Sequence, residues 1–319
     1  MREPHPPLTV RPAGPGDASE ICALLNAVDI IEIGRPETDL GTVEADLNHP
    51  EIDLATDSWL AFRDGRLVAY ALVWNDSGPG RVDGDHYVLP GPEHSEAAER
   101  LLELMEARAR ELAAAAPAEP ARLRIQLNVK PTLDLSLLTA RGYRGVRRYH
   151  VLTRALDPAA DLPPVPAQGL VLRHCGADEA DRRRAHALVE ETFAAHYGHV
   201  ERAYEPWLDH LDARELDWSL VWIASLPELG DVAVLLTRDD RTSMGWVSHL
   251  GVREDARARG IGGFLLRHGF AVYAARGRDT VGLGVDTHNE TGALALYEAH
   301  GMGLHYAVET WELPLHSHG

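Results

Sequence analysis

Two short segments hold residue types whose spacing suits chemistry. The first is HLGVREDARARGIGGFLLRHGF, residues 249–270. Here an apolar strand ends at Leu250, Gly251 and Val252, and Arg257, Ala258, Arg259, Gly260, Ile261 and Gly262 open a helix with apolar residues at Ile261, Phe264, Leu265 and Val272. A glycine-rich turn at a helix start presents unpaired N–H groups at the positive end of the helix dipole, which suits a pyrophosphate. Gly260 and Gly262 let the backbone approach the anion where a Cβ would intrude. Residues 253–278 contain six arginines against Glu254 and Asp255, in a chain whose formal net charge is −18. That local inversion of sign favours an anionic ligand at this turn. A Walker lysine and a glycine-rich turn after the first strand of a βαβ unit are both missing, so the P-loop and nicotinamide-type phosphate binders are poor competitors.

The second segment is GVDTHNETGALALYEAHGM, residues 284–302. Asn289 is placed to cap a helix expected over 290–300, and Tyr297 falls on the face of Ala293 and Leu294. Taken alone, such a tyrosine reads as a core aromatic. Trp207, Trp218 and Tyr204 read the same way.

The elements that must position these residues repeat. A proline-rich stretch, 157–168, has the composition of a linker. Before it the pattern gives a strand near 8–12, a helix led by Asp17 with Ile21, Leu24, Leu25 and Val28 on one face, and a helical stretch at 38–48. Strands at 59–63, 67–74 and 82–89 follow, then a helix at 93–115, a strand at 123–127, a helix ending near Gly142 and a strand to 156. After the linker the same order recurs: strand 170–174, helices 178–196 and 204–212, strands 220–225, 232–237 and 245–252, helix 260–275, strand 280–285, helix 290–300 and a strand to 313. LSLLTARGY from Leu135 lies over LALYEAHGM from Leu294. A duplicated unit explains this.

With both segments in this setting, the chain resembles the GNAT superfamily of N-acetyltransferases. Residues 257–262 fit its R/Q-x-x-G-x-G/A signature, and Asn289, Tyr297, Gly301 and Met302 fit its second motif. The resemblance spans nearly the whole chain. It implies an α/β (α+β mixed sheet) fold of two tandem GNAT-like acyl-CoA N-acyltransferase domains, each a mixed, mostly antiparallel sheet flanked by helices. The division is 1–156, 157–168 as linker and 169–319, an arrangement similar to the group that includes mycothiol synthase. By the same resemblance, Arg257, Ala258, Arg259, Gly260, Ile261, Gly262 and Asn289 help to bind acetyl-CoA. Leu250, Gly251 and Val252 pair with its pantetheine, and Tyr297 protonates the leaving thiolate.

The first half departs from this pattern. Its corresponding loop, VLPGPEHSEAAERLL at 88–102, carries Pro90 and Pro92 where amide donors are wanted, and Leu138 stands at the position of Tyr297. A degenerate, non-catalytic first domain is therefore expected. The base is open as well: in many family members a Glu or His on the fourth strand serves, and the aligned positions are Trp246 and Ser248. His249 faces the other way under strict alternation unless a bulge turns it. Asp286 and the FAAHYGH segment, 193–199, are further candidates.

The leading reading is acyl transfer, with acetyl-CoA as co-substrate, to the primary amine of a small molecule. A mycothiol synthase-like enzyme, a protein N-terminus or lysine acetyltransferase, and a non-catalytic acyl-CoA-binding regulatory module are the alternatives. Net charge argues against nucleic acid and anionic membranes as partners. Cys22 and Cys175 suggest neither a disulfide framework nor a metal site. Without a signal-like or membrane-spanning run, a cytoplasmic protein is expected, monomeric or homodimeric.

Overall fold

The computed structural model describes residues 7–49, 52–75, 80–115, 121–212, 216–241, 243–289 and 291–315. The expected helix start at Glu290 and the first six residues lie outside these. The chain divides into two compact units, Met1–Arg148 with Ala307–Gly319, and Tyr149–Tyr306.

The first unit begins with β1 (Thr9–Arg11), α1 (Ala18–Glu32), α2 (Leu40–Leu47) and the short α3 (Leu54–Asp57). Next come β2 (Ser58–Arg63), β3 (Arg66–Trp74), β4 (Arg81–Val88), α4 (Ser95–Ala115), β5 (Arg122–Asn128), α5 (Leu135–Ala140) and the start of β6 (Arg144–Ala155). The faces follow from the patterns. The apolar run of β3 is buried on both sides, whereas β4 alternates, turning Val82, Gly84, His86 and Val88 inward. Those residues meet α4, which buries Ala97, Ala98, Leu101, Leu102, Met105 and Ala109 along one stripe. A Cβ at Gly84 would stand 2.8 Å from Met105 Cε, so glycine is what lets α4 approach the sheet.

The second unit holds β7 (Val171–His174), α6 (Glu179–Phe193), α7 (Tyr204–Asp212), β8 (Val221–Leu226), β9 (Gly230–Arg238) and β10 (Gly245–Val252). Then follow α8 (Ile261–Ala275), β11 (Thr280–Asp286), α9 (Ala293–Ala299) and the start of β12 (Gly303–Pro314). Val189 on α6 packs with Val221, Ile223, Val234 and Leu236 on one face of the sheet. Phe264, Leu265 and Tyr273 on α8 pack with Ala233, Leu235 and Val247 on the other.

Both units show one topology. Four antiparallel strands are followed by a parallel fifth and an antiparallel sixth: β1-β2-β3-β4-β5-β12 in the first, β7-β8-β9-β10-β11-β6 in the second. The sixth strands are exchanged between the sequence halves. β6 pairs with β11, Leu152 opposite Leu283, and β12 pairs with β5, Leu313 opposite Leu123. Division of the sequence at the linker assigns each of these strands to the other unit. Local periodicity announces a strand but not its neighbour, because partner choice is settled by packing across the sheet.

Candidate active site

The geometry of the second unit begins with two parallel strands that part. β10 pairs with β11 only over Gly245–Val247, matched to Val281–Leu283, while it stays paired to β9 through Val252. At the parting point β10 has a bulge: Val247 faces Thr237 and His249 faces Leu236, leaving Ser248 as the extra residue. The bulge reverses the parity of the strand. Val247 belongs to the α8 side, yet His249 meets the Phe193 ring on α6 at 5.0 Å between centroids, and a Cβ at Gly251 would collide with Thr192 of α6. Strict alternation would have put 249 and 251 with Val247. The sequence argument thus named the one device that turns His249.

Between the parted strands lies a cavity of about 510 Å³. Of the residues expected to hold the ligand, Leu250, Gly251, Val252, Arg257, Ala258, Gly260, Ile261, Gly262 and Asn289 line it, together with Tyr297. Past Val247 the backbone groups of β10 that point away from β9 have no strand partner among the described residues. An extended amide-bearing ligand would pair with such an edge.

The turn into α8 is built on two left-handed residues. After a single 3₁₀ turn at Glu254–Ala256, Ala258 has φ +60° and Gly260, the N-cap, has φ +76°. Nothing lies within 4 Å of where a Gly260 Cβ would stand, so glycine there serves the backbone angle and the open space over the helix end. The first-turn amides of α8 lack an intrahelical acceptor by position. The structure also revises the charge argument. Arg253 pairs with Glu191, Arg276 with Asp217, Arg278 with Asp239, and Arg259 with Glu228 at 2.8 Å. Arg259 does not line the cavity; its guanidinium is drawn to a carboxylate outside it. Arg257, whose Nε donates to the Val252 carbonyl at 3.2 Å, has no carboxylate partner among the described residues and does line it.

Tyr297 lies on α9, 8% exposed, and burial pushes its phenol up to about 12, so it keeps its proton at neutral pH. Asn289 does not cap α9. Gly292, at φ +76°, is the N-cap, and Asn289 Oδ1 instead accepts the Thr291 N–H at 2.9 Å in a separate turn. Its Nδ2 faces His196 Nε2 at 3.4 Å. His196, in the FAAHYGH segment, and Asp286, at the end of β11, both line the cavity. Desolvation holds the His196 imidazole below its ordinary range, opposed by the charge of Asp286.

Trp246 and Ser248 are not among the lining residues; the Trp246 ring lies under the Arg241 guanidinium at 3.7 Å. Tyr204 and Trp207 are core residues, packed with Val189 and Val221. Sequence reasoning missed Tyr149, which reaches the cavity from β6 and carried no signal, because that strand read as part of the other half. Thr192 was missed too, although its place four residues before His196 marked the same helix end. Among the described residues, no group of three or more His, Cys, Asp or Glu side chains could hold a metal, and no helix is long and apolar enough to cross a membrane.

Comparison with known proteins matches residues 187–302 to the acetyltransferase (GNAT) family. The chain is 37% identical over 145 residues to a mycothiol acetyltransferase of Clavibacter michiganensis subsp. michiganensis, covering 42% of each chain. It is 34% identical over 200 residues to a mycothiol acetyltransferase of Beutenbergia cavernae, covering 55% of this chain and 65% of that one. It therefore spans less than two thirds of the length of these curated relatives. Among solved structures, a GCN5-related N-acetyltransferase from Sphaerobacter thermophilus superposes with a TM-score of 0.84 at 27% identity, covering 97% of this chain and 96% of that one.

Proposed function

We propose that the second unit, which holds the residues matched to the acetyltransferase (GNAT) family, transfers an acetyl group from acetyl-CoA to the primary amine of a small molecule. The observation that carries this is the cavity between the parted strands, which joins a strand edge that β11 has left, a helix start suited to an anion and a buried phenol. The groups present suit an acyl-CoA in three parts. The edge of Leu250, Gly251 and Val252 offers backbone groups to the amides of the pantetheine arm. The turn from Arg257 to Gly262 offers amides to the pyrophosphate, together with the Arg257 guanidinium, which has no carboxylate partner among the described residues. Tyr297 holds a proton where a thiolate would leave.

Direct attack of the amine on the thioester asks two things of the protein. It must leave the amine neutral, since an alkylammonium has a pKa near ~10 and is almost wholly protonated at neutral pH. It must also supply the sulfur with a proton. A phenol at about 12 is poorly matched to a thiol near ~8.5, so its assistance belongs at the low end of the ~10²–10⁴-fold range for general acids. Relatives described as mycothiol acetyltransferases support a small-molecule acceptor over a protein amine.

Calorimetric titration with coenzyme A, then thiol release from acetyl-CoA across a panel of amines, tests the reading. Binding followed by amine-dependent release is expected. Binding without release under any amine would leave the binding module as the function.

A further inference from the structure

On the reading of the second unit as an acetyltransferase, we propose that His196 is the group that takes the proton from the attacking amine. The inference rests first on position. His196 lines the same cavity as Tyr297 and the turn that suits the pyrophosphate. It lies three residues beyond the end of α6, its backbone N–H bonded to the Phe193 carbonyl at 2.8 Å and its ring edge-on to the Phe193 ring at 4.3 Å between centroids.

The second support is the state of its ring nitrogen. Asn289 Oδ1 is occupied by the Thr291 N–H, so the amide cannot flip without losing that bond. Only Nδ2, a donor, is left to face His196 Nε2. Nε2 must therefore be the unprotonated nitrogen, its lone pair held by a weak 3.4 Å contact that an entering ammonium can displace. Burial lowers the pKa of the ring and so favours its neutral form. Asp286 on β11 favours the imidazolium once a proton arrives, while Arg257 on the turn and His199 on its own segment oppose it. His199 is itself bonded to Glu190 at 3.0 Å.

The other candidates fit less well. His249 and Ser248 do not line the cavity. Asp286 Oδ1 already accepts the His288 N–H at 2.8 Å, and its charge acts on the His196 imidazole.

The step balances as follows. Nε2 takes one proton from the ammonium; the freed nitrogen forms its bond to the thioester carbon, and the carbon–sulfur bond breaks. Tyr297 gives its proton to the sulfur and is refilled by the second proton lost from nitrogen. The net product proton leaves from His196 to solvent.

The test is the pH dependence of kcat/KM with an amine of pKa near ~10, for the wild-type chain and for His196→Gln, with coenzyme A affinity measured beside it. Expected for the wild type is an acid limb with an apparent pKa below the ordinary ~6.5 of histidine, then a plateau. His196→Gln should fall ~10²-fold or more at pH 7 and lose that plateau, rising instead with pH towards the pKa of the amine. Coenzyme A affinity should stay within about twofold, and added imidazole should restore part of the rate. A wild-type profile in the variant overturns the proposal. So does a wild-type chain whose own rate climbs without a plateau to the pKa of the amine, a result independent of how the variant folds. If the wild-type chain releases no thiol with any amine, the transferase reading falls and this assignment falls with it.

Discussion

The two units share a strand order yet differ at the turn that follows the fourth strand, and the difference shows what a phosphate-binding turn requires. In the second unit the turn runs through Ala258 and Gly260, both left-handed, into α8 with its first amides open to a cavity. In the first, Leu89 is followed by Pro90, Gly91 at φ +124° and a 3₁₀ turn at Pro92–His94. Two prolines remove two donors. The Glu93 carboxylate also folds back over Gly91, so the chain sets a negative charge of its own where an anion would approach. The last helices of the two units, α5 and α9, differ in the same sense. Tyr297 lines a cavity, whereas Leu138 is fully buried and serves packing. A fold can therefore be duplicated while its chemistry is lost through a handful of side chains.

The largest expected effect concerns what the units share. Because β12 completes the first unit and β6 the second, segments 1–156 and 169–319 made separately should each lack a core strand and fail to melt cooperatively, while co-expressed they should co-purify. Two independently folded, monomeric halves would show that the strand exchange is dispensable.

Next is the matched pair on the last helices, α5 and α9. Tyr297→Phe keeps the ring and should lower kcat by ~10²-fold, with little change in melting temperature or coenzyme A affinity. Leu138→Ala should instead cost ~2–5 kcal/mol of stability, as for other buried leucines, without a specific loss in kcat of the folded protein. Normal turnover in Tyr297→Phe, where chemistry limits the rate, would reduce Tyr297 to a packing residue.

The two turns offer a subtler contrast. Gly260→Val places a β-branched residue at φ +76°, a cost of about 1–2 kcal/mol, and puts its side chain into the space over the helix end, so coenzyme A affinity should fall about 10-fold or more. Gly91→Val should destabilise the first unit and leave that affinity unchanged. Equal losses of affinity would mean that the first unit also binds the ligand.

How much of this could be read in advance follows the range of the interactions. The turn at 257–262, the helix after it and the placing of Tyr297 are local, carried by glycine, apolar spacing and one aromatic, and they were legible. The carboxylate partner of Arg259 was not, because Glu228 lies in a different loop. Nor was the inert capping position of Asn289, which depends on Gly292 adopting a positive φ three residues later. The bulge at Ser248 stood in the sequence only as a condition on His249. The exchange of β6 and β12 left no trace, since either strand satisfies the same alternation in either sheet.

The smallest effect separates the units by their response to acid. On β4 the carboxyl of Asp85 is pushed up to about 7, first by desolvation and then by Asp46 and Asp83. In an unfolded chain its pKa is near ~3.9. The folded state therefore holds the extra proton between about 4 and 7, and the stability linked to that proton is present below this window and lost as pH rises through 7. Asp85→Asn mimics the neutral form, so it should raise the melting temperature at pH 8 by about 3–6 °C, the equivalent of ~1–2 kcal/mol after allowance for partial exposure. The gap should shrink by at least half at pH 5, where the wild-type carboxyl is itself protonated. His196 in the second unit, shifted downward by burial, works in the opposite sense: the stability linked to its neutral ring is present above ~6.5 and lost on acidification. A gap between Asp85→Asn and wild type that stays constant from pH 8 to pH 5 would mean that Asp85 is charged throughout, held by a cation rather than isolated by burial.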